Sequence, residues 1–168
     1  MQHILLGNFI SFIGSCFMAG SCIVKDRSRV FFFQFIASGF TTVSCLILQA
    51  YTGAVSMLQC TVRNLLVSRG KYSRRTMLTF CVLSVALALP ANTRGLLGLL
   101  PIVATVQYTA CSYYAATIRA VRWSVLINVL LWTLYNLAVW DFSSAVSNSI
   151  MALLCVRDLV QIHRAQNA

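Results

Sequence analysis

The sequence predicts an all-α integral membrane protein that crosses the bilayer seven times. Hydrophobic residues occupy 59% of its 168 positions and charged residues only 10%, a balance that no ordinary soluble domain shows. A membrane-spanning helix needs about 20 mostly apolar residues, and seven apolar stretches of comparable or somewhat shorter length follow one another. They cover residues 3–24, 30–50, 54–68, 77–90, 96–115, 123–140 and 143–162.

The first three spans are separated by one basic segment and one uncharged turn. Span one has no basic segment before it and is followed by further spans, so we interpret it as a retained helix rather than a cleaved signal peptide. Residues 25–29 close it with three basic side chains, and the uncharged residues 51–53 join spans two and three. Span three is short and carries three strongly polar residues, Gln59, Arg63 and Asn64.

The last four spans begin after residues 69–75, the most basic segment of the chain. Span four is only modestly apolar, and a polar turn over residues 91–95 leads into span five. A basic segment at residues 119–122 closes span five, and Asp141 and Phe142 form the turn between spans six and seven. Short polar segments therefore separate all seven predicted spans.

The distribution of basic residues supports this count and gives an orientation, because cytoplasmic loops carry an excess of Lys and Arg. With seven spans, Arg94 is alone on one side. Removing the short third span would place residues 25–29 opposite residues 69–75 and abolish the bias. We therefore expect the N-terminus outside and the C-terminus in the cytoplasm. The ten basic residues predicted on the cytoplasmic side are Lys25, Arg27, Arg29, Arg69, Lys71, Arg74, Arg75, Arg119, Arg122 and Arg164.

Short matching triplets along the chain indicate an internal repeat. Two of them share a shift of 91 positions, and a third falls at 94. The matched triplets are Leu-Leu-Gly at 5–7 and 96–98, Ala-Val-Ser at 54–56 and 145–147, and Val-Arg-Asn at 62–64 against Val-Arg-Asp at 156–158. The halves would thus have the same order of helices without being strictly in register.

Seven spans and this repeat combine into a 3+1+3 arrangement of two parallel triple-helix bundles. The predicted units are a first three-helix repeat at residues 1–72, a connector helix at residues 73–94 and a second three-helix repeat at residues 95–168. A single connector helix makes the repeats parallel, related by an axis along the membrane normal. Solute sites in such proteins lie near the bilayer midplane, at the interface between the repeats.

The plan resembles that of the SWEET sugar transporters and, more distantly, the PnuC vitamin transporters. The Pro-Gln dipeptide of that superfamily is absent, so none of its substrate contacts is transferred. A closer resemblance is to the bacterial inner-membrane proteins of the YgjV family, which implies a multi-pass protein of the bacterial inner membrane. The residues that carry it are those at 25–29, 51–56, 62–67, 70–71 and 95–101.

Polar side chains within the apolar spans are the candidate site, since such groups usually face the bundle interior or a hydrated cavity. Two interpretations stand side by side. The side chains either form interhelical hydrogen bonds, worth about 0.6 kcal/mol each, or together bind a small polar solute on which an aromatic ring stacks. The candidate substrate-binding residues are Gln34, Gln59, Asn64, Asn128, Trp132 and Asn148.

The charged residues Arg63 and Asp158 form a second candidate feature. Arg63 lies near the predicted cytoplasmic boundary, where its long side chain could also reach water by snorkelling. The shorter carboxylate of Asp158 cannot do so easily and needs a partner. Since the Arg-Asn and Arg-Asp dipeptides occupy matched positions in the two repeats, we expect an Arg63–Asp158 ion pair between the repeats.

The residue content argues against several classes of protein. There is no Glu, no central His and no Cys-x-x-Cys pair, so we expect no enzyme, no metal and no cofactor. The net charge of +10 is explained by cytoplasmic loops rather than by nucleic-acid binding. We expect a small-solute transporter or facilitator in contact with the lipid bilayer and a small polar solute. The alternative is a non-transporting scaffold that binds a partner or lipid, and a homo-oligomer is left open.

Overall fold

The described part of the chain forms seven α-helices. The computed structural model describes residues 1–24, 26–114 and 117–167, and no strand occurs among them. Lys25 and Ala115, which belong to a predicted basic segment and a predicted span end, lie outside the described residues. The helices are α1 (Gln2–Ile23), α2 (Arg27–Ile47), α3 (Tyr51–Ser68), α4 (Arg74–Ala88), α5 (Leu99–Tyr114), α6 (Ile118–Ala138) and α7 (Phe142–Asn167).

Each predicted span corresponds to one helix, and polar residues fix several helix starts by capping. The Asp26 carboxylate accepts a hydrogen bond from the backbone N–H of Arg29 at 2.9 Å. The hydroxyls of Ser73 and Thr117 accept the backbone N–H three residues later, both at 3.2 Å. Such caps satisfy N–H groups that have no partner within the helix. A 3₁₀ turn at Gly95–Gly98 precedes α5.

The surface of the helix bundle is that of a membrane protein. In the described part of the chain, four helices are long and apolar enough to cross a membrane, at Gln2–Ser21, Ser28–Ile47, Gly95–Tyr114 and Phe142–Arg164. Large apolar side chains such as Leu5, Phe9 and Leu153 are more than 60% exposed, whereas many of the buried side chains are polar. An apolar exterior around a polar interior suits lipid as the surrounding solvent.

The helices close into a ring. Each helix packs against the next along the chain, and α1 also packs against α7. Because α3 contacts α5 directly while α4 contacts both of them, α4 lies outside a ring formed by the other six helices. We call the two contacts that close the ring between the halves of the chain the α1–α7 seam and the α3–α5 seam.

Successive helices run in opposite directions, which gives the bundle two distinct ends. At the end that we call the basic end, Ser28 donates a hydrogen bond from its hydroxyl to the carbonyl of Ser68 at 2.6 Å. At the opposite end, the Ser44 hydroxyl donates to the Gly7 carbonyl at 2.8 Å. The basic end carries residues 69–75, whose Arg and Lys side chains are exposed.

The opposite end contains the main apolar core. The Tyr135 side chain of α6 reaches α3 there: the backbone N–H of Gly53 donates to the Tyr135 hydroxyl at 3.1 Å, and Tyr135 is fully buried. A Cβ at Gly53 would lie 2.7 Å from the Tyr135 ring, so only glycine fits there. The core residues are Cys45, Leu48, Ala50, Ala54, Ala104, Trp132, Tyr135 and Val139.

Polar contacts hold the α1–α7 seam at the opposite end. Asp141 is fully buried and accepts hydrogen bonds from the Ser11 hydroxyl at 2.9 Å and the Ser144 backbone N–H at 3.0 Å. The hydroxyls of Ser11 and Ser144 also bond to each other. Asn8 donates to the Trp140 carbonyl at 2.8 Å. The turn residue Asp141 is therefore the centre of a polar clamp between the first and last helices.

Burial raises the pKa of Asp141, and its hydrogen bonds from Ser144 and Ser11 offset part of that rise. A carboxyl group whose pKa is higher in the folded than in the unfolded chain destabilises the fold when it is ionised. Its contribution to stability therefore improves as pH falls through the raised pKa toward the ordinary value of about 3.9.

We expect the thermal midpoint of the wild-type protein to rise relative to that of Asp141→Asn as pH falls from neutral to about 4.5. The amide carries no charge at any pH, and all other carboxyl groups are shared by the two proteins and cancel. Thermal unfolding of both proteins in the same detergent across this range measures the difference. A difference that stays constant with pH would contradict the assignment.

Candidate functional site

A central cavity of about 390 Å³ lies inside the ring, nearer the basic end. All six ring helices contribute to its lining, for example through Met18 of α1, Tyr108 of α5 and Met151 of α7. Ligand pockets in proteins commonly measure about 300–1,000 Å³. The cavity is therefore large enough for a small solute and is enclosed by both halves of the chain.

Five of the six candidate substrate-binding residues line this cavity. They come from four different helices and approach it from different sides of the ring. The five are Gln34, Asn64, Asn128, Trp132 and Asn148. The structure thus brings together polar residues that are as many as 114 positions apart in the sequence.

Gln59 is the exception and does not line the cavity. Its side-chain oxygen accepts a hydrogen bond from the Ser84 hydroxyl at 2.6 Å, and its amide nitrogen donates to the Leu83 carbonyl at 3.0 Å. Both partners belong to α4. The prediction for Gln59 is therefore wrong in position: the residue fastens the outer helix α4 to α3.

Arg63 is the charged centre of the cavity and is only 3% exposed. One terminal nitrogen donates to the Thr109 hydroxyl at 2.9 Å. The other terminal nitrogen donates to the Asn64 side-chain oxygen at 3.0 Å, and Nε donates to the same oxygen at 3.3 Å. The guanidinium also lies 5.0 Å from the centre of the Tyr108 ring, within the range of a cation–π contact.

A chain of hydrogen bonds connects Arg63 to α2. The Asn64 amide nitrogen lies 3.3 Å from the Ser38 hydroxyl, which in turn donates to the Gln34 carbonyl at 2.7 Å. On the far side of the cavity, the Asn128 amide donates to the Ala104 carbonyl at 2.8 Å. Interhelical hydrogen bonding, one of the two interpretations for these amides, therefore accounts for Asn64 and Asn128.

Two amides that line the cavity do not take part in interhelical hydrogen bonds among the described residues. The side chains of Gln34 and Asn148 make no hydrogen bond to the part of the chain that the structure describes, although both border the cavity. Their donors and acceptors remain available to water or a solute. The site thus contains amides fixed by the protein beside amides that are free to bind.

The predicted Arg63–Asp158 ion pair is not formed. The Asp158 carboxylate instead lies 2.9 Å from a terminal nitrogen of Arg122. Both side chains are more than a third exposed, Asp158 at 35% and Arg122 at 39%. Arg122 is on α6, the direct neighbour of α7, whereas Arg63 is on α3 across the ring. Arg157, the sequence counterpart of Arg63, is exposed.

Sequence reasoning missed Arg122 as part of the site because it assigned residues 119–122 to a loop. Helix α6 begins at Ile118, after the Thr117 cap, which places Arg122 one turn into the helix and at the cavity wall. A threonine before an apolar run is a recognised start signal of a helix. This signal was present in the sequence and would have moved the boundary.

A smaller polar cavity of about 50 Å³ continues from the central cavity toward the opposite end. It shares the side chains of Ser38 and Asn148 with the central cavity. Asn136 also lines it, and the side-chain oxygen of this buried residue has no hydrogen-bond partner among the described residues. The polar interior therefore extends past the middle of the bundle.

A wider recess of about 570 Å³ opens at the basic end, outside the ring, between the start of α2 and the ends of α3 and α5. Ser28, Tyr72 and Ser112 line it, and none of the candidate residues does. Its lining includes no arginine among the residues that the structure describes, and it is more open than the central cavity. Within the described ranges, no cluster of potential metal ligands occurs either. The central cavity is therefore the candidate functional site.

Comparison with known proteins identifies one related family. The model of the Imp-YgjV family, described as a bacterial inner membrane protein, matches residues 5–166. No curated protein and no solved structure matches the chain. The resemblance to SWEET and PnuC transporters thus finds no support, whereas the resemblance to the YgjV family is confirmed.

We expect charge-exchange variants to show whether Arg122 or Arg63 is the ion-pair partner of Asp158. Asp158→Asn should cost less than about 1 kcal/mol, as is usual for a partly exposed ion pair. Arg122→Asp combined with Asp158→Arg should recover the thermal midpoint that each single exchange lowers. Arg63→Asp combined with Asp158→Arg should recover nothing, and rescue by this second pair alone would show that the observed pairing is wrong.

Proposed function

The chain belongs to the Imp-YgjV family of bacterial inner membrane proteins, and we propose that it is a small-solute transporter or facilitator of that membrane. The observation that carries the proposal is the central cavity, which is lined by helices from both halves of the chain and bordered by the Gln34 and Asn148 amides, which have no hydrogen bond to the described residues. A cavity of this kind is costly to maintain in a membrane protein unless it binds something polar.

The proposed topology has seven spans, with the basic end in the cytoplasm. This orientation follows from the excess of Lys and Arg on that end. Residues 1–72 and 95–168 form the two repeats in this arrangement, and α4 within residues 73–94 is the connector. The position of α4 outside the ring agrees with a connector that does not contribute to the site.

The two ends of the cavity differ, which supports a mechanism of alternating access. Toward the opposite end, the apolar core around Tyr135 and the polar clamp around Asp141 lie beyond the cavity. Toward the basic end, the cavity reaches Ser21 and Arg122, near the ends of their helices. We therefore interpret this arrangement as the inward-facing state, from which the two halves would rock about the seams to open the other end.

The alternative is a membrane protein that does not transport and binds anionic lipid through its basic end. Arg69, Lys71, Arg74 and Arg75 are all exposed, and basic residues next to a membrane surface attract anionic headgroups by about 1 kcal/mol each. This surface explains lipid contact but leaves the enclosed polar cavity without a role. Transport is therefore the first proposal.

A covalent lock on the α1–α7 seam tests transport. Purified protein is first screened for metabolites that raise its thermal midpoint, since a ligand stabilises the state that it binds, and the stabilising compounds are then tested for uptake into proteoliposomes. In a cysteine-free protein carrying Ser11→Cys and Ser144→Cys, we expect a disulfide to form, because the two hydroxyls are in direct contact. Uptake should stop when the disulfide forms and return after reduction.

The matched control carries Ser11→Cys and Leu153→Cys, with Leu153 exposed on the outside of α7. It should form no disulfide and should transport under oxidising and reducing conditions alike. Undiminished uptake with a complete Ser11–Ser144 cross-link would contradict movement at this seam. A screen in which compounds bind but none enters the proteoliposomes would contradict transport.

A further inference from the structure

We propose that the central cavity binds a small organic monocarboxylate, with the Arg63 guanidinium as the group that receives the carboxylate. The inference rests on the proposed function in that it uses the same cavity, but it concerns binding and holds or fails independently of movement across the membrane. It narrows the expectation of a small polar solute to a solute of defined charge.

The first argument is the charge of the cavity. Arg63 and Arg122 are the charged residues among the described lining, and the charge of Arg122 is matched by Asp158 at 2.9 Å. The partners of Arg63 are the neutral side chains of Thr109 and Asn64. Arginine keeps its positive charge under all physiological conditions, so one positive charge inside the ring has no anionic partner in the described chain.

An unmatched buried charge is unfavourable, and a bound anion relieves this cost. The depth of Arg63 excludes the usual escape of the side chain into water, because only 3% of the residue is exposed. The hydrogen bonds to Thr109 and Asn64 hold the guanidinium in place. An arginine fixed in this manner is preorganised for a ligand.

The second argument is the number of donors that Arg63 retains. A guanidinium carries five N–H groups, and three are used by the hydrogen bonds to Thr109 and Asn64. Each terminal nitrogen therefore keeps one N–H that is not engaged by the described residues. Two N–H groups on one planar guanidinium match the two oxygens of a carboxylate.

The third argument is the remaining lining, which suits an organic body. Met57, Val125, Val129 and the ring of Trp132 provide apolar surface. On the wall formed by α7 lies the Asn148 amide, which has no hydrogen bond to the described residues. A single net charge favours a monoanion over the doubly charged form of inorganic phosphate, which would carry excess negative charge into the cavity. A small carboxylate with a compact ring or chain fits this combination best.

The test uses benzoate and its neutral analogue benzamide as probes, with inorganic phosphate as the second anion. The purified full-length protein carries Trp123→Phe and Trp140→Phe, so that Trp132 is the only tryptophan, and binding is followed by its emission and by the thermal midpoint. We expect saturable benzoate binding. Benzamide should bind more weakly by about ten-fold or more, because it loses the charge-assisted hydrogen bonds, and phosphate should bind more weakly by about ten-fold or more, because its doubly charged form brings excess negative charge.

Substitutions assign the effect to Arg63. In Arg63→Gln, benzoate affinity should fall by about ten-fold or more, and in Arg63→Lys it should fall less, because the charge remains but the planar fork is lost. The matched control is Arg74→Gln, which removes an exposed charge on α4 and should leave affinity unchanged. If Arg63→Gln fails to fold, Asn148→Asp provides the readout, since a negative charge in the cavity should weaken benzoate but not benzamide.

Equal affinity for benzoate and benzamide would overturn the proposal, as would undiminished benzoate affinity in a folded Arg63→Gln or in Asn148→Asp. Tighter binding of phosphate than of benzoate would overturn the assignment of an organic carboxylate. Benzoate binding without uptake of any compound would remove the transport proposal alone. Uptake of neutral solutes without benzoate binding would remove this inference alone.

Discussion

The buried guanidinium of Arg63 is the constraint on which the interior of this protein depends. A charged group that is removed from water must be surrounded by hydrogen-bonding atoms, and here these atoms come from two helices. Thr109 brings in α5, and Asn64 on α3 lies against Ser38 of α2. The contact between α3 and α5 closes one side of the ring, and it leaves α4 outside. The polar cavity is the space that remains around this charge.

The two ends of the bundle are stabilised by different interactions. At the opposite end, Gly53 allows the Tyr135 hydroxyl to reach the first turn of α3, so that a helix terminus is satisfied within an apolar core. Asp141 performs the equivalent task at the start of α7 and joins it to α1 through Ser11. At the basic end, by contrast, the cavity wall ends in a partly exposed ion pair, Arg122–Asp158. The two ends of the bundle therefore differ: one is tightly packed, and the other is bounded by a weak, partly exposed ion pair.

Much of this arrangement follows from the sequence, and the failures have identifiable causes. All seven helices were predictable because their apolar runs are bounded by polar or basic segments, and amides within such runs were expected inside the bundle. Gln59 and Arg63 are four residues apart on α3, but at about 100° per residue their directions around the helix axis differ by about 40°. That rotation is enough to turn Gln59 toward Ser84 of α4. The partner of Asp158 depended on which helices become neighbours, and a repeat in the sequence does not determine contacts across the ring.

The central claim is that Arg63 borders a cavity inside the ring that small solutes can enter, and the accessibility of Cys60 tests it most directly. Cys60 lies one turn from Arg63 on α3 and borders the cavity, whereas Cys45 is fully buried in the apolar core. Two proteins, each retaining one of these cysteines, are placed in sealed vesicles with the basic end facing the outside solution. A small anionic methanethiosulfonate reagent is then added to that solution. The account predicts modification of Cys60 but not of Cys45, and slower modification of Cys60 by the cationic analogue. Complete protection of Cys60 from both reagents would show a dry interior and contradict the account.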